Sequence, residues 1–228
     1  MKPRSARSTR TPTGTRARPV AKRPRSYHHG ELKVALLDAA ASVLADHGVE
    51  GFTLRECARR AGVSHGAPAH HFGDVRGLLS AFTAQSFGQL EALTHEYQLK
   101  APPDGFSQLL ASGTAYVHYA LAERARFQLM FRSDRLDASN EHLRRAGQAV
   151  FGILQETMAR TSAEAGAEGV MLPEKTALAW SLVHGFATLL LENEGFASQT
   201  QGNRDKALAL IRKLITLNRA AFESTGRR

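Results

Sequence analysis

The segment TLRECARRAGVSHGAPAHHF, residues 53–72, decides the fold of this chain. Thr53 with Glu56 three positions later is a capping-box pattern, in which the Thr hydroxyl accepts from the Glu56 amide and the carboxylate reaches back. The apolar positions that follow share one helical face: Leu54, Cys57, Ala58 and Ala61. Gly62 then ends the helix, because glycine readily takes the left-handed conformation of a helix end. These signals predict a short helix over residues 54–61.

A second helix is predicted directly after this turn. Val63 is placed to fill the corner between the two helices, and Ser64 is a cap for a helix that runs to about Phe72. A helix, a tight turn that contains glycine and a second helix form the unit whose second member enters the DNA major groove. Helical hairpins that bind no nucleic acid share this bare pattern, so the surrounding residues must decide between the two.

The flanking sequence supplies a further helix on each side of this unit. Before it, an apolar stripe at helical spacing comprises Leu32, Ala35, Leu36, Ala39, Val43 and Leu44. This stripe predicts an amphipathic helix over residues 31–47 that stops at Gly48. After the unit, Asp74 is placed to cap a long helix that extends to about Leu99.

Residues 27–82, YHHGELKVALLDAAASVLADHGVEGFTLRECARRAGVSHGAPAHHFGDVRGLLSAF, closely resemble the DNA-binding domain of TetR-family repressors. The likeness includes the spacing of the first helix, the turn, the His71-Phe72 pair and the Asp-capped start of the fourth helix. It implies an all-α protein in which a three-helix helix-turn-helix domain precedes a helical effector-binding and dimerisation domain. The implied function is sequence-specific binding to a palindromic operator by a homodimeric repressor, which an unidentified small molecule releases.

The resemblance also implies DNA contacts, residue by residue. Thr53 and Arg55 match positions that bind the sugar-phosphate backbone. The other implied contacts belong to the recognition helix and its cap: Ser64, His65, Gly66, Ala67, Pro68, Ala69, His70 and His71. Two positions depart from the family pattern, because Ala69 replaces a common tyrosine and Val75 replaces a phosphate-binding lysine. Arg76 can replace that lysine only from a position turned by about 100° around the helix.

This recognition helix carries few long hydrogen-bonding side chains. Direct readout would rest on thymine-methyl contacts from Ala67 or Pro68, together with contacts from the histidine imidazoles. Adjacent side chains leave a helix in different directions, so we expect one of His70 and His71 to be packed or half-exposed. Recognition of DNA shape is the alternative to direct readout.

The formal net charge of +9 lies entirely in the N-terminal residues. Residues 1–30 hold nine of the 30 Lys and Arg residues and no Asp or Glu, which leaves 21 cations against 21 anions in the remainder. Several prolines and few apolar residues predict that residues 1–26 form a disordered basic tail. Such a tail is a solvating leader, a transit peptide or an arm that binds phosphates, and its place before a DNA-binding domain favours the arm.

The DNA-binding domain is assigned to residues 27–80, and residues 81–226 are predicted to form the ligand-binding and dimerisation domain. Helical runs in the latter cover about 106–124, 125–132, 140–165, 174–193 and 204–224. Trp180, His184 and Gly185 resemble the Trp/His/Gly signature of one C-terminal domain type within the TetR family. Because Trp180 and His184 lie four apart on one helical face, an aromatic packed over a core histidine is the favoured alternative to ligand contact.

Two long C-terminal helices carry more apolar surface than a small helical domain buries alone, which predicts a four-helix interface between two chains. A largely apolar effector cavity with a few polar tips is also expected. Its candidates, most of which we expect to be ordinary core, are Phe82, Tyr116, Tyr119, Phe127, Met130, Phe131, Phe151, Trp180 and His184. Ligand binding should change the spacing of the two recognition helices, with the fourth helix transmitting the shift.

Other classes of protein find little support in the sequence. The 16-residue stretch without Asp, Glu, Lys or Arg at 176–191 is shorter than a bilayer span, so we expect a buried helix in a cytoplasmic protein. No nucleophile elbow, phosphate loop or acid pair indicates an enzyme, and the single Cys57 lies on a core stripe. The paired histidines are not accompanied by the further ligand residues that a metal site needs, so we predict no metal and no cofactor. The remaining rival is a non-specific architectural DNA binder driven by the tail.

Overall fold

The computed structural model describes residues 29–226, and within that range the chain folds into helices without a strand, which confirms the all-α fold class. The tail expected at residues 1–26, together with Tyr27 and His28, lies outside the described residues. None of the described helices is long and apolar enough to cross a membrane. In chain order the helices are α1 (His29–His47), α2 (Leu54–Ala61), α3 (Ala67–Phe72), α4 (Val75–Leu99), α5 (Gly105–Ala122), α6 (Arg124–Met130), α7 (Glu141–Glu164), α8 (Leu172–Glu192), α9 (Glu194–Ala197), α10 (Arg204–Leu217) and α11 (Arg219–Phe222).

Helices α1 and α2 pack with the first half of α4 around an apolar cluster that we call the N-terminal core. Leu36, Leu44 and Phe82 are among its fully or almost fully buried members. Cys57 lies in the same core, and its thiol donates to the Leu36 carbonyl over 3.3 Å. Burial raises the pKa of this thiol to about 11, which keeps it protonated and unreactive near neutral pH.

The predicted caps are present at the starts of α2 and α4, but the capping box is only half formed. Thr53 Oγ1 accepts from the Glu56 amide over 3.2 Å, and the Asp74 carboxylate caps α4 in the same way. The Glu56 carboxylate binds elsewhere: it accepts from the guanidinium groups of Arg59 and Arg60, which lie three and four positions ahead on one face. These hydrogen bonds lower the pKa of Glu56 to about 2, and the bond from Arg59 has the largest effect.

The C-terminal helices pack around α5, which contacts α4, α7, α8 and α10. Leu90, Val117 and Met158 are almost fully buried in this second cluster, which we call the C-terminal core. Glycine is required at the start of α5, because a Cβ at Gly105 would lie 2.6 Å from the backbone nitrogen of Thr161 in α7. This close approach of two backbones fixes where α5 meets α7.

Two expectations about the C-terminal helices are corrected by the structure. The run expected over residues 204–224 breaks after Leu217, where the Asn218 side chain donates to the Leu214 carbonyl over 2.9 Å. Asparagine favours such helix ends because its amide competes for backbone partners. The uncharged stretch 176–191 lies within α8, but only one face of this helix is buried. The large apolar residues exposed on α8 are Leu178, Trp180 and Leu189.

Candidate nucleic-acid interface and effector cavity

The predicted recognition helix, α3, begins later than the sequence pattern indicates. Ser64 is not its cap: residues 64–66 form a turn in which the Ala67 amide donates to the Ser64 carbonyl over 3.0 Å. Pro68 lies in the first turn of the helix, where amides have no helical acceptor, so its missing N–H removes no hydrogen bond. Pro68 is therefore compatible with a regular start of α3.

Most of the predicted base-reading positions on and before α3 are open to solvent. The exposed ones are Ser64, His65, Gly66, Ala69 and His70. Ala67 and His71 are half-buried. Pro68 is buried, so the thymine-methyl contact expected of it is incompatible with its packing. Of the polar side chains that we proposed as base readers, His65 and His70 are therefore the ones best placed to reach base edges.

His70 is exposed and His71 is half-buried, as expected of neighbours on a helix. Their ring centroids are 5.4 Å apart and their planes lie at 74°. The ring of His71 lies 6.5 Å from that of Phe72, which packs against the N-terminal core, so His71 is the more enclosed of the pair. Among residues 29–226, no group of three or more His, Cys, Asp or Glu side chains is arranged to hold a metal ion.

The start of α2 presents Thr53 and Arg55 to solvent. Because the Thr53 hydroxyl accepts from the Glu56 amide, its own proton is left to donate to a phosphate oxygen. The positive end of the helix dipole favours an anion at the same place. Arg60 is committed elsewhere, since its guanidinium pairs with Asp46 at 2.5 Å and with Glu56 at 2.8 Å.

Arg76 is not placed as a substitute for the lysine that the family carries at position 75. Its guanidinium donates to the Leu136 carbonyl, through Nε over 3.1 Å and also through Nη2. The step of one residue turns a helical side chain by about 100°, which here directs Arg76 toward the loop between α6 and α7. Arg76 therefore joins α4 to the C-terminal half of the chain.

A cavity of about 280 Å³ opens into the C-terminal core, with walls from α4, α5, α7, α8, α10 and α11. The predicted cavity residues that line it are Tyr116, Phe131, Phe151 and Trp180. Sequence reasoning missed other wall residues, among them Phe87, Leu90, Val150 and Leu154. These are apolar residues at helical spacing, and no signal in the sequence separates such a residue in a cavity wall from one in a filled core.

The other five predicted cavity residues lie away from its wall. Phe82 is fully buried in the N-terminal core, where the Arg126 guanidinium lies 4.3 Å from the centre of its ring. Tyr119, Phe127 and Met130 are buried in the C-terminal core. His184 lies behind the wall, beside Tyr116. Phe82 and the cavity are separated because α4 contributes its first half to one core and its second half to the other.

Tyr116 and His184 form a polar pair at the cavity wall. Tyr116 Oη lies 2.9 Å from His184 Nδ1. Burial lowers the pKa of His184 and raises the pKa of Tyr116, so both groups are neutral near pH 7 and share a hydrogen bond without an ion pair. The imidazole also packs among aromatic rings, with the Phe131 centroid at 4.4 Å and the Trp180 centroid at 5.8 Å. His184 is thus a packed histidine that orients a hydroxyl in the wall.

One loop connects the cavity with the N-terminal core. Residues 131–137, which we call the bridging segment, begin at Phe131 in the cavity wall. The side chain of Leu136 is 6% exposed and belongs to the N-terminal core. The amide of Asp137 donates to Ser80 Oγ of α4 over 2.8 Å. The packing of the N-terminal core therefore extends beyond residue 80, where the sequence placed the domain boundary.

The bridging segment is also tied to the junction between α1 and α2 by an ion cluster. Glu50 at that junction pairs with Arg132 at 2.8 Å and also with Arg135. Asp134 pairs with Arg132 at 2.8 Å on the same segment. Two arginines of one short segment thus hold one carboxylate of the N-terminal half.

Two family models match the chain. Residues 36–82 match the model of bacterial regulatory proteins of the tetR family, and residues 109–214 match that of the tetracyclin repressor-like C-terminal domain. Together the two matches cover about two thirds of the chain. The Trp/His/Gly subtype suggested by Trp180, His184 and Gly185 stays a prediction.

Similar proteins agree with these matches. The transcriptional regulator BetI of Burkholderia ambifaria is 35% identical over 79 residues, which are 35% of this chain and 41% of BetI, so the match spans about two fifths of the length of such curated relatives. A solved structure of a protein of unknown function from Rhodococcus sp. RHA1 superposes with a TM-score of 0.69 at 29% identity, over 84% of this chain and 96% of that one. A regulatory protein of the tetR family from Rhodococcus RHA1 shares the fold, with a TM-score of 0.63 at 19% identity over 81% and 95%. This chain belongs to the TetR family of bacterial regulatory proteins.

Proposed function

We propose that this protein is a sequence-specific DNA-binding transcription regulator, a repressor that leaves its operator when a small molecule binds. The exposure of α3 next to the N-terminal core carries the proposal, because a helix presented in this way is free to enter the major groove. Thr53 and Arg55 would fix the position of the protein on the phosphates. His65 and His70 would contact base edges. The role requires no catalytic step and belongs in the cytoplasm, where operator DNA lies.

The functional unit in this proposal is a homodimer joined through α8 and α10. A single chain leaves Leu178 and Leu189 of α8 at least 40% exposed and Leu217 of α10 79% exposed. A four-helix interface between two chains would cover apolar surface of this kind. Two-fold symmetry would then place the recognition helices about 34 Å apart, one turn of DNA, so the operator is expected to be palindromic.

The basic N-terminal residues add affinity in this proposal. Residues 1–30 carry nine cations and no acid, and basic groups of this kind bind phosphates with release of counterions. Val75 stands where the family has a phosphate-binding lysine, and Arg76 is held by Leu136. An arm formed by residues 1–26 would offset that loss.

Release of DNA follows from the way in which the cavity is joined to the N-terminal core. Phe131 forms part of the cavity wall, and the rest of the bridging segment is fixed to Glu50, Arg76 and Ser80. A ligand that displaces Phe131 would therefore act on α4 and on the α1–α2 junction together. We expect this displacement to change the spacing of the two recognition helices. The sequence predicted that α4 transmits the shift. The bridging segment is a second route in addition to α4.

Selection from a pool of random duplexes tests the proposal. Full-length protein at fixed salt should recover fragments with palindromic half-sites one turn apart, bound about a thousandfold more tightly than random DNA. Fragments without symmetry, or equal affinity for selected and random duplexes, would instead indicate the non-specific architectural binder.

A further inference from the structure

We propose that the cavity binds uncharged, apolar molecules and rejects the ionised form of the same carbon skeleton. The inference rests on the proposed function only in that it takes this cavity as the effector site. Its test uses binding to the protein without DNA, so failure of DNA recognition and failure of this inference are separate results.

The wall of the cavity offers no charge to an ionised ligand. Among the described residues 19 line the cavity, and none of these is an Asp, Glu, Lys, Arg or His. The side chain among them that titrates at high pH, Tyr116, is neutral near pH 7 because burial raises its pKa. A carboxylate or ammonium group that entered would lose its hydration and gain no opposite charge in return.

The hydroxyl donors of the described wall residues already have acceptors. Thr94 Oγ1 donates over 2.8 Å to the carbonyl one turn earlier, and Ser112 Oγ does the same over 2.8 Å. Tyr116 Oη shares a hydrogen bond of 2.9 Å with His184 Nδ1. A carboxylate can only accept hydrogen bonds, so the Thr94 and Ser112 hydroxyls have no proton left to offer it. A neutral alcohol or amide can instead donate to the remaining oxygen lone pairs.

The buried ammonium of Lys175 does not supply the missing charge, although it lies on α8 one turn before the wall residue Ala179. Its side chain is 3% exposed and lies outside the cavity wall. The ammonium donates to Ser162 Oγ over 3.0 Å and to the Ser224 carbonyl over 2.8 Å. Lys175 therefore anchors the C-terminal end of the chain, and its ammonium is directed at two oxygens that lie outside the cavity wall.

Matched pairs of neutral and ionised molecules give a direct test. Isothermal titration calorimetry of the full-length protein near pH 7 would compare 4-phenyl-1-butanol with 4-phenylbutyrate and 1-octanol with octanoate. We expect each alcohol to bind about a hundredfold or more tightly than its carboxylate, since burial of an unpaired ion has a large desolvation penalty. Trp180, the single tryptophan of the chain, lies in the wall, so a change in its fluorescence would place the bound alcohol in this cavity.

A cation added at the rim should reverse the preference. Phe151 lines the cavity but is 39% exposed, so Phe151→Lys can keep its ammonium partly hydrated and preserve the fold. We expect this variant to bind the carboxylates at least about tenfold more tightly than the original protein does. Leu99→Lys adds the same charge at a position that is 87% exposed and outside the wall, and it should leave both affinities unchanged.

Several outcomes would overturn the proposal. These are carboxylates that bind as tightly as their alcohols, alcohols that fail to bind at all, and alcohols that bind without changing Trp180 fluorescence. A gain in carboxylate affinity that Leu99→Lys reproduces would also overturn it, because the effect would then arise from net charge. Circular dichroism and the melting temperature of each variant confirm that the compared proteins are folded.

Discussion

The N-terminal core and the C-terminal core are specified by different kinds of information. Around the N-terminal core, the caps at Thr53 and Asp74 and the turn at Gly62 are local signals, each read from a few neighbouring residues. The cavity of the C-terminal core arises where six helices from distant parts of the chain meet. The difference teaches that the DNA-reading unit can be recognised from sequence, whereas the chemistry of the ligand site becomes visible only after the helices are packed.

Truncation of one phenylalanine from each region gives the largest expected contrast. Phe82→Ala removes a fully buried ring from the N-terminal core and should lower the free energy of unfolding by about 3–5 kcal/mol. Phe151→Ala removes a ring that is 39% exposed at the cavity, so it should lower stability by about 1 kcal/mol or less and weaken alcohol binding. Urea denaturation and calorimetry measure the two quantities. Equal loss of stability in both variants would contradict the assignment of the two rings to different environments.

The same two residues show where sequence reasoning succeeds and where it stops. Both are aromatic residues on helical stripes, and both were expected at the cavity, yet Phe82 packs under Arg126 in the N-terminal core. Periodicity reports that a residue is buried but not which neighbours it meets, because those neighbours are far away in the chain. The long-range bond from Arg76 to Leu136 was missed for the same reason, whereas the local cap at Thr53 was found.

Two substitutions test the division of labour within the DNA-reading unit. Arg55→Ala should weaken binding to every sequence by about tenfold and reduce the salt slope by about 1, because it removes one phosphate contact. His65→Ala should change preference at a single base position, by about 1–3 kcal/mol. Fluorescence anisotropy with the selected operator and its point variants, at several salt concentrations, separates these effects. Uniform losses from both substitutions would show that His65 also binds the backbone.

The bridging segment links the two regions, and its ion cluster can be removed without touching either site. Glu50→Gln should leave alcohol binding and operator binding nearly unchanged, because exposed ion pairs contribute about 1 kcal/mol or less. The coupling free energy between ligand binding and DNA binding should decrease by about 0.5–2 kcal/mol, so the ligand should release DNA less effectively. Glu141→Gln is the matched control, since Glu141 pairs with Arg145 at 2.8 Å and is 64% exposed, against 67% for Glu50. If both variants release DNA like the original protein, α4 alone transmits the signal.

The smallest expected effect is a dependence of stability on pH that arises behind the cavity wall. Burial lowers the pKa of His184 below 6.5, so at mildly acidic pH the unfolded chain binds a proton that the folded chain excludes. The stability contributed by the neutral imidazole is therefore complete above pH 6.5 and decreases as the pH falls below it. His184→Gln keeps a hydrogen-bonding partner for Tyr116 and should flatten the dependence on pH of urea-denaturation free energies measured between about pH 7.5 and about pH 5.5. His118→Gln is the necessary comparison, because burial also lowers the pKa of His118, which bonds to Tyr97 at 2.8 Å away from the cavity wall. If His184→Gln retains the original slope and His118→Gln removes it, the pH dependence belongs to the surface of α5 and not to the wall of the cavity.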